Sequence, residues 1–141
     1  MAEGIFSRQV TEAGLEKDFL IDSAGTMAWS AGNPPDPFAQ AAAIAEGIDI
    51  SHVRARKLTR ADLEYFDLVL VADESNYHEV LAISPEHIRP KIHYLMSYAG
   101  PEAAMVIPDP FGGGIQGFLQ VFSMIENACS GLLKNLTRET G

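Results

Sequence analysis

Asp67-Leu68-Val69-Leu70-Val71 carries an unbroken aliphatic run from Leu68 to Val71, closed by Ala72-Asp73. A strand with one face in water would alternate apolar and polar residues. A continuous run predicts a strand buried on both faces, the habit of parallel sheets covered by helices. On its C-terminal side Ser75 is placed to cap a helix reaching about Ile83, and Lys91-Ile-His-Tyr-Leu95 is a second strand candidate. On its N-terminal side Thr59 caps a short helix through Tyr65, and Phe19-Leu-Ile21 is a third strand candidate. Strands separated by helices predict an α/β fold with a parallel sheet flanked by helices.

The outer segments supply the covering helices. Ile5, Phe6, Val10 and Ala13 fall on one stripe of a helix from Ala2, which Gly14 can stop. Phe38 to Ala45 reads as an Ala-rich helix ended by Gly47. Phe118, Phe122, Ile125, Cys129, Leu132 and Leu136 recur three and four apart, giving a long amphipathic helix.

A length of 141 residues suits one domain able to bury its own core, with no linker or repeat. The net charge of -9 argues against a general nucleic-acid or anionic-membrane binder, and no apolar run reaches the ~20 residues of a membrane span. The single cysteine forbids an internal disulfide and suits a reducing compartment, so a cytoplasmic location is expected. No cofactor is indicated. His52, His78, His87 and His93 have no metal-ligand spacing among themselves or with Cys129, so no metal site is expected. Cys129 lies on the apolar stripe of the last helix, where a thiol is buried and inert.

The chemistry-bearing stretch is Val106-Ile-Pro-Asp109-Pro110-Phe111-Gly-Gly-Gly114. A proline pushes the residue before it toward extended backbone, and the glycines permit turns that other residues resist. Asp109 is therefore either a turn residue or a carboxyl group held over a site as a proton donor.

Met1-Ala-Glu-Gly-Ile-Phe6, Ile21-Asp-Ser-Ala-Gly-Thr26, Gly32-Asn-Pro-Pro-Asp-Pro37, Arg54-Ala-Arg-Lys-Leu-Thr59, Asp73-Glu-Ser-Asn76 and Pro108-Asp-Pro-Phe-Gly112 come in one order over nearly the whole chain. Together they resemble the low-molecular-weight protein-tyrosine phosphatases. The resemblance implies an α/β domain over 1–141 that acts on a phosphotyrosine protein or aryl phosphate. It implies Asp109 as the general acid, Trp29 and Phe111 as aromatic walls for the ring, and Ser23, Asp73 and Asn76 as supporting residues. Asp36, in a similar Pro-Asp-Pro-Phe stretch, is assigned to the entrance of the second helix.

The same resemblance places a central strand, a loop of Cys, five residues and Arg, and a Ser-Pro ahead of the methionine that is Met1 here. The expectation is thus an N-terminally truncated domain lacking the nucleophilic cysteine and the phosphate-clamping arginine. Its sheet would be rearranged and open at its edges, favouring self-association. Two functions follow: a tyrosine phosphatase whose 141 residues are inactive alone, or a non-catalytic phosphatase-like binding or regulatory protein. Arsenate reduction, which uses a relay of several cysteines, is disfavoured by the single thiol.

Overall fold

A computed structural model describes residues 1–25, 32–100, 106–107 and 114–140, at 138–140 the backbone alone. Its elements are α1 (Ala2–Glu12), α2 (Pro37–Ala45), α3 (Arg60–Tyr65), β1 (Val69–Val71), α4 (Glu74–Ile83), β2 (Ile92–Tyr94) and α5 (Gly114–Thr140). Short 3-10 turns at Arg89–Lys91 and Leu95–Tyr98 bracket β2. The strands pair in parallel, Val69 with Ile92, Leu70 with His93 and Val71 with Tyr94. The molecule is α/β, a parallel sheet flanked by helices.

The aliphatic run at 68–71 packs on both sides, as expected. Leu68 and Leu70 lean on one cluster, built on Ile5, Phe6, Val10, Leu95 and the apolar stripe of α5. Val69 and Val71 belong to another, with Leu63, Val80, Ile88 and Ile92. Alternate residues of a strand point to opposite faces, so β1 links the two clusters.

Helix ends follow local chemistry. At the C-termini of α1 and α2, Gly14 (φ +74°) and Gly47 (φ +81°) adopt left-handed backbone. The next amides then turn back, Leu15 to Val10 O at 2.9 Å and Ile48 to Ala43 O at 2.8 Å. Asp36 Oδ1 accepts from Phe38 N–H at 2.8 Å, so it is the N-cap of α2, in keeping with its structural assignment. Thr59 and Asp62 form a reciprocal capping box on α3. Lys91 Nζ closes the other end of α3 by donating to the Leu63, Glu64 and Phe66 carbonyls at 3.1, 3.3 and 3.2 Å. Against α5, the turn at 95–98 comes so close that a Cβ on Gly131 would overlap the Tyr98 carbonyl.

Two expectations are corrected. Phe19–Ile21 forms no strand; the chain there makes only the parallel bridge Gly25–Lys57, four residues later. No backbone hydrogen bond among the described residues joins 19–24 to a neighbour, so the extended conformation has no ladder to lock it. The N-cap of α4 is Asp73, not Ser75. Its carboxylate reaches the Asn76 amide at 2.8 Å, while Ser75 Oγ, inside the first turn, donates to Glu79 at 2.9 Å. The described backbone bonds of 69–71 run to β2 alone, so β1 has an open edge among the described residues. No described helix is long and apolar enough to cross a membrane.

Candidate functional site at the carboxyl end of the sheet

Ligand sites of open α/β sheets gather beyond the carboxyl ends of the strands, where loops and helix N-termini converge. At this end β1 runs through Ala72 into Asp73, which caps α4. The Ile107 amide donates to the Ala72 carbonyl at 2.9 Å, anchoring the segment that precedes the Asp-Pro-Phe stretch. At the end of β2, Tyr94 stacks on Tyr77 of α4, with centroids 5.0 Å apart and planes 15° from parallel. Desolvation, then the nearby Glu74, push the Tyr94 hydroxyl above its ordinary pKa.

The supporting residues fall into two groups. Asp73 and Asn76 are joined through the α4 cap. Ser23 donates its hydroxyl to Glu3 Oε1 at 2.8 Å rather than to either member of that pair. The acid Asp109 and the walls Trp29 and Phe111 lie outside the described residues. Asp109 follows the Ile107 anchor by two positions in the chain.

Beside Ser23 is an ion cluster that the residue pattern did not announce. Arg56 Nη2 donates to Asp22 at 3.0 Å and Nη1 to Asp62 at 2.9 Å. The Arg56 guanidinium holds the Asp62 carboxyl below the usual carboxylate range, against the opposing effect of burial. The Thr59-x-x-Asp62 spacing signals half of this arrangement as a capping box. Nothing local signals Asp22, thirty-four positions from Arg56.

Cys129, the one thiol, is buried in the core beneath α1. Burial, with a smaller push from Glu126, raises it to about 12. At neutral pH it is a thiol, not the thiolate a nucleophile must be. Among the described residues no group of three or more His, Cys, Asp or Glu is placed to hold a metal ion.

The family model for low molecular weight phosphotyrosine protein phosphatase matches residues 1–141. The chain is similar to the low molecular weight phosphotyrosine protein phosphatase of Schizosaccharomyces pombe, 36% identical over 137 residues, covering 96% of this chain and 87% of the relative. It is 34% identical over 136 residues to the human protein of the same name, covering 95% and 85% of the two chains. Among solved structures it superposes on a protein tyrosine phosphatase from Entamoeba histolytica with Hepes in the active site. That match has a TM-score of 0.93 at 26% identity, over 99% of this chain and 89% of the other. YfkJ from Bacillus subtilis superposes at TM-score 0.90 and 29% identity, over 99% and 87% of the two chains. The match runs through both strands, the capped helices and the Asp-Pro-Phe stretch alike, and the chain belongs to the low molecular weight phosphotyrosine protein phosphatase family.

Proposed function

We propose that residues 1–141 carry the leaving-group side of a phosphotyrosine site and, as a unit, do not hydrolyse the ester. In the family reaction a cysteine thiolate attacks phosphorus while the bond from phosphorus to the aryl oxygen breaks, and an aspartic acid protonates the departing oxygen. Asp109 is the proposed donor of that proton, and Trp29 and Phe111 flank the ring. Asp73 and Asn76 support the site by fixing the start of α4, and Ser23 by its bond to Glu3. The observation that carries the reading is the state of the only thiol: Cys129 is buried, and its pKa of about 12 leaves it protonated.

The same observation favours a second reading, a non-catalytic member that binds phosphotyrosine proteins or regulates an active partner. The edge of β1 left open among the described residues adds self-association to the proposal, and the single cysteine suits the cytoplasm. Trp29 is the only tryptophan, so its fluorescence reports on the pocket alone. Titration with a phosphotyrosine peptide is expected to give a saturable change that the tyrosine form of the peptide does not. Absence of any change, with no binding by calorimetry, would remove Trp29 from the site.

A further inference from the structure

Four of the ten Lys and Arg residues fall within seven positions, Arg54, Arg56, Lys57 and Arg60, in a chain whose net charge is -9. Their states differ. Arg56 is committed to Asp22 and Asp62. Arg54 is exposed, and its Nη1 donates to the carbonyls of Ser51 at 2.6 Å and Val53 at 2.9 Å. Those neutral acceptors hold the guanidinium in place without cancelling its charge. Lys57 and Arg60 are exposed, and neither has a carboxylate partner among the described residues. Arg60 opens α3, where a cation opposes the helix dipole, so helix stability does not account for it.

The position of this segment gives the charges a use. Gly25 N–H donates to Arg56 O at 2.8 Å, and Leu58 N–H to Gly25 O at 2.8 Å. On the other side of Trp29 in the chain, Gly32 N–H donates to Ala55 O at 2.6 Å, and Ala55 N–H to Asn33 O at 2.8 Å. Residues 55–58 thus bond to Gly25 and to Gly32 and Asn33, the described residues on either side of Trp29 in the chain. Trp29 is three residues from Gly32, at most about 11 Å by chain length, so a phosphotyrosine held as proposed above would bring its flanking residues toward this strip.

We infer that Arg54, Lys57 and Arg60 form a docking surface for acidic residues flanking the phosphotyrosine of the bound protein. The inference rests on the phosphotyrosine reading above. On a chain of charge -9 most of the surface repels an acidic peptide, so a local cationic strip selects both the partner and its direction of approach. Each exposed pair is weak, and three acting together amount to about tenfold in affinity at low ionic strength, fading as salt rises.

Fluorescence anisotropy with three peptides tests this: phosphotyrosine flanked by glutamates, phosphotyrosine flanked by glutamines, and the glutamate peptide without phosphate. The first is expected to bind the wild-type chain about tenfold tighter than the second, an advantage lost in R54Q/K57Q/R60Q and kept in the charge-matched control K17Q/R89Q/K134Q. K57Q/R60Q, whose side chains hold no described hydrogen bond, should lose most of it with no fall in melting temperature. Equal binding of the two phosphopeptides to wild type, or an unchanged preference in the triple variant, overturns the inference. If neither phosphopeptide binds but the unphosphorylated acidic peptide does, and only without the triple substitution, the docking surface stands and the phosphotyrosine reading fails. Binding of none of the three overturns both. Loss in the triple variant of binding to phosphatidylserine vesicles, with peptide binding unaltered, would assign the strip to a membrane and overturn the inference.

Discussion

Arg56 ties together segments that are distant in sequence. Its guanidinium spans Asp22, beside Ser23, and Asp62, in the capping box of α3. Asp62 is the less exposed of the two carboxylates and takes hydrogen bonds from Thr59 as well. Arg56 and then Thr59 lower its folded pKa below the ordinary 3.8, although burial pushes the other way. A carboxyl group depressed on folding contributes stability in full above its unfolded pKa, and that contribution is lost as pH falls through the folded value. Asp62→Asn is therefore expected to lower the melting temperature at neutral pH and to flatten its decline below about pH 4. Thermal unfolding of both proteins across that range checks this; parallel curves would show that the Arg56–Asp62 pair contributes nothing. The capping half of the cluster was legible, since Thr59 and Asp62 are neighbours on one turn. The bond to Asp22 was not, because pairing across thirty-four residues depends on where the sheet brings the segments.

At the scale of elements, the helices and the two strands were readable for the same reason: each satisfies its pattern locally. Ile5, Phe6 and Val10 of α1 and Phe122, Ile125, Cys129 and Leu132 of α5 are buried as spaced, Phe118 and Leu136 are half-buried, and Ala13, just past the end of α1, is exposed. Gly14 and Gly47 end helices because only glycine enters left-handed backbone cheaply. Phe19–Ile21 has the apolar character of a strand, yet a strand needs a neighbour's amides and carbonyls, and sequence pattern does not say whether a neighbour is present. Ser75 misled because Asp73, two positions earlier, is the better-placed acceptor. The edge of β1 that is open among the described residues has its own consequence. Unpaired edge groups recruit another strand, and a second copy of β1 provides one. Light scattering is expected to show a mass rising from monomer toward dimer with concentration. A monomer mass at every concentration would mean the edge is covered.

For the whole molecule, the two apolar clusters joined through β1 make a frame on which the carboxyl end of the sheet, the α4 cap and the Ile107 anchor converge. The family resemblance was legible because its six stretches are spread along the whole chain, and the full-length match agrees with it. The roles given to Asp109, Trp29 and Phe111 rest on that membership, since all three lie outside the described residues. What the described structure contributes is the fate of the thiol. A sulfur buried under α1, pushed up to about 12, has neither the charge nor the access for attack on phosphorus.

The central claim is that this unit carries an acid and pocket walls but no working nucleophile. Hydrolysis of p-nitrophenyl phosphate by the purified 141-residue chain tests it most directly, alongside Cys129→Ser and Asp109→Asn. The account predicts no release of nitrophenol above the blank for any of the three. Turnover by the wild-type chain that disappears in Cys129→Ser would contradict it.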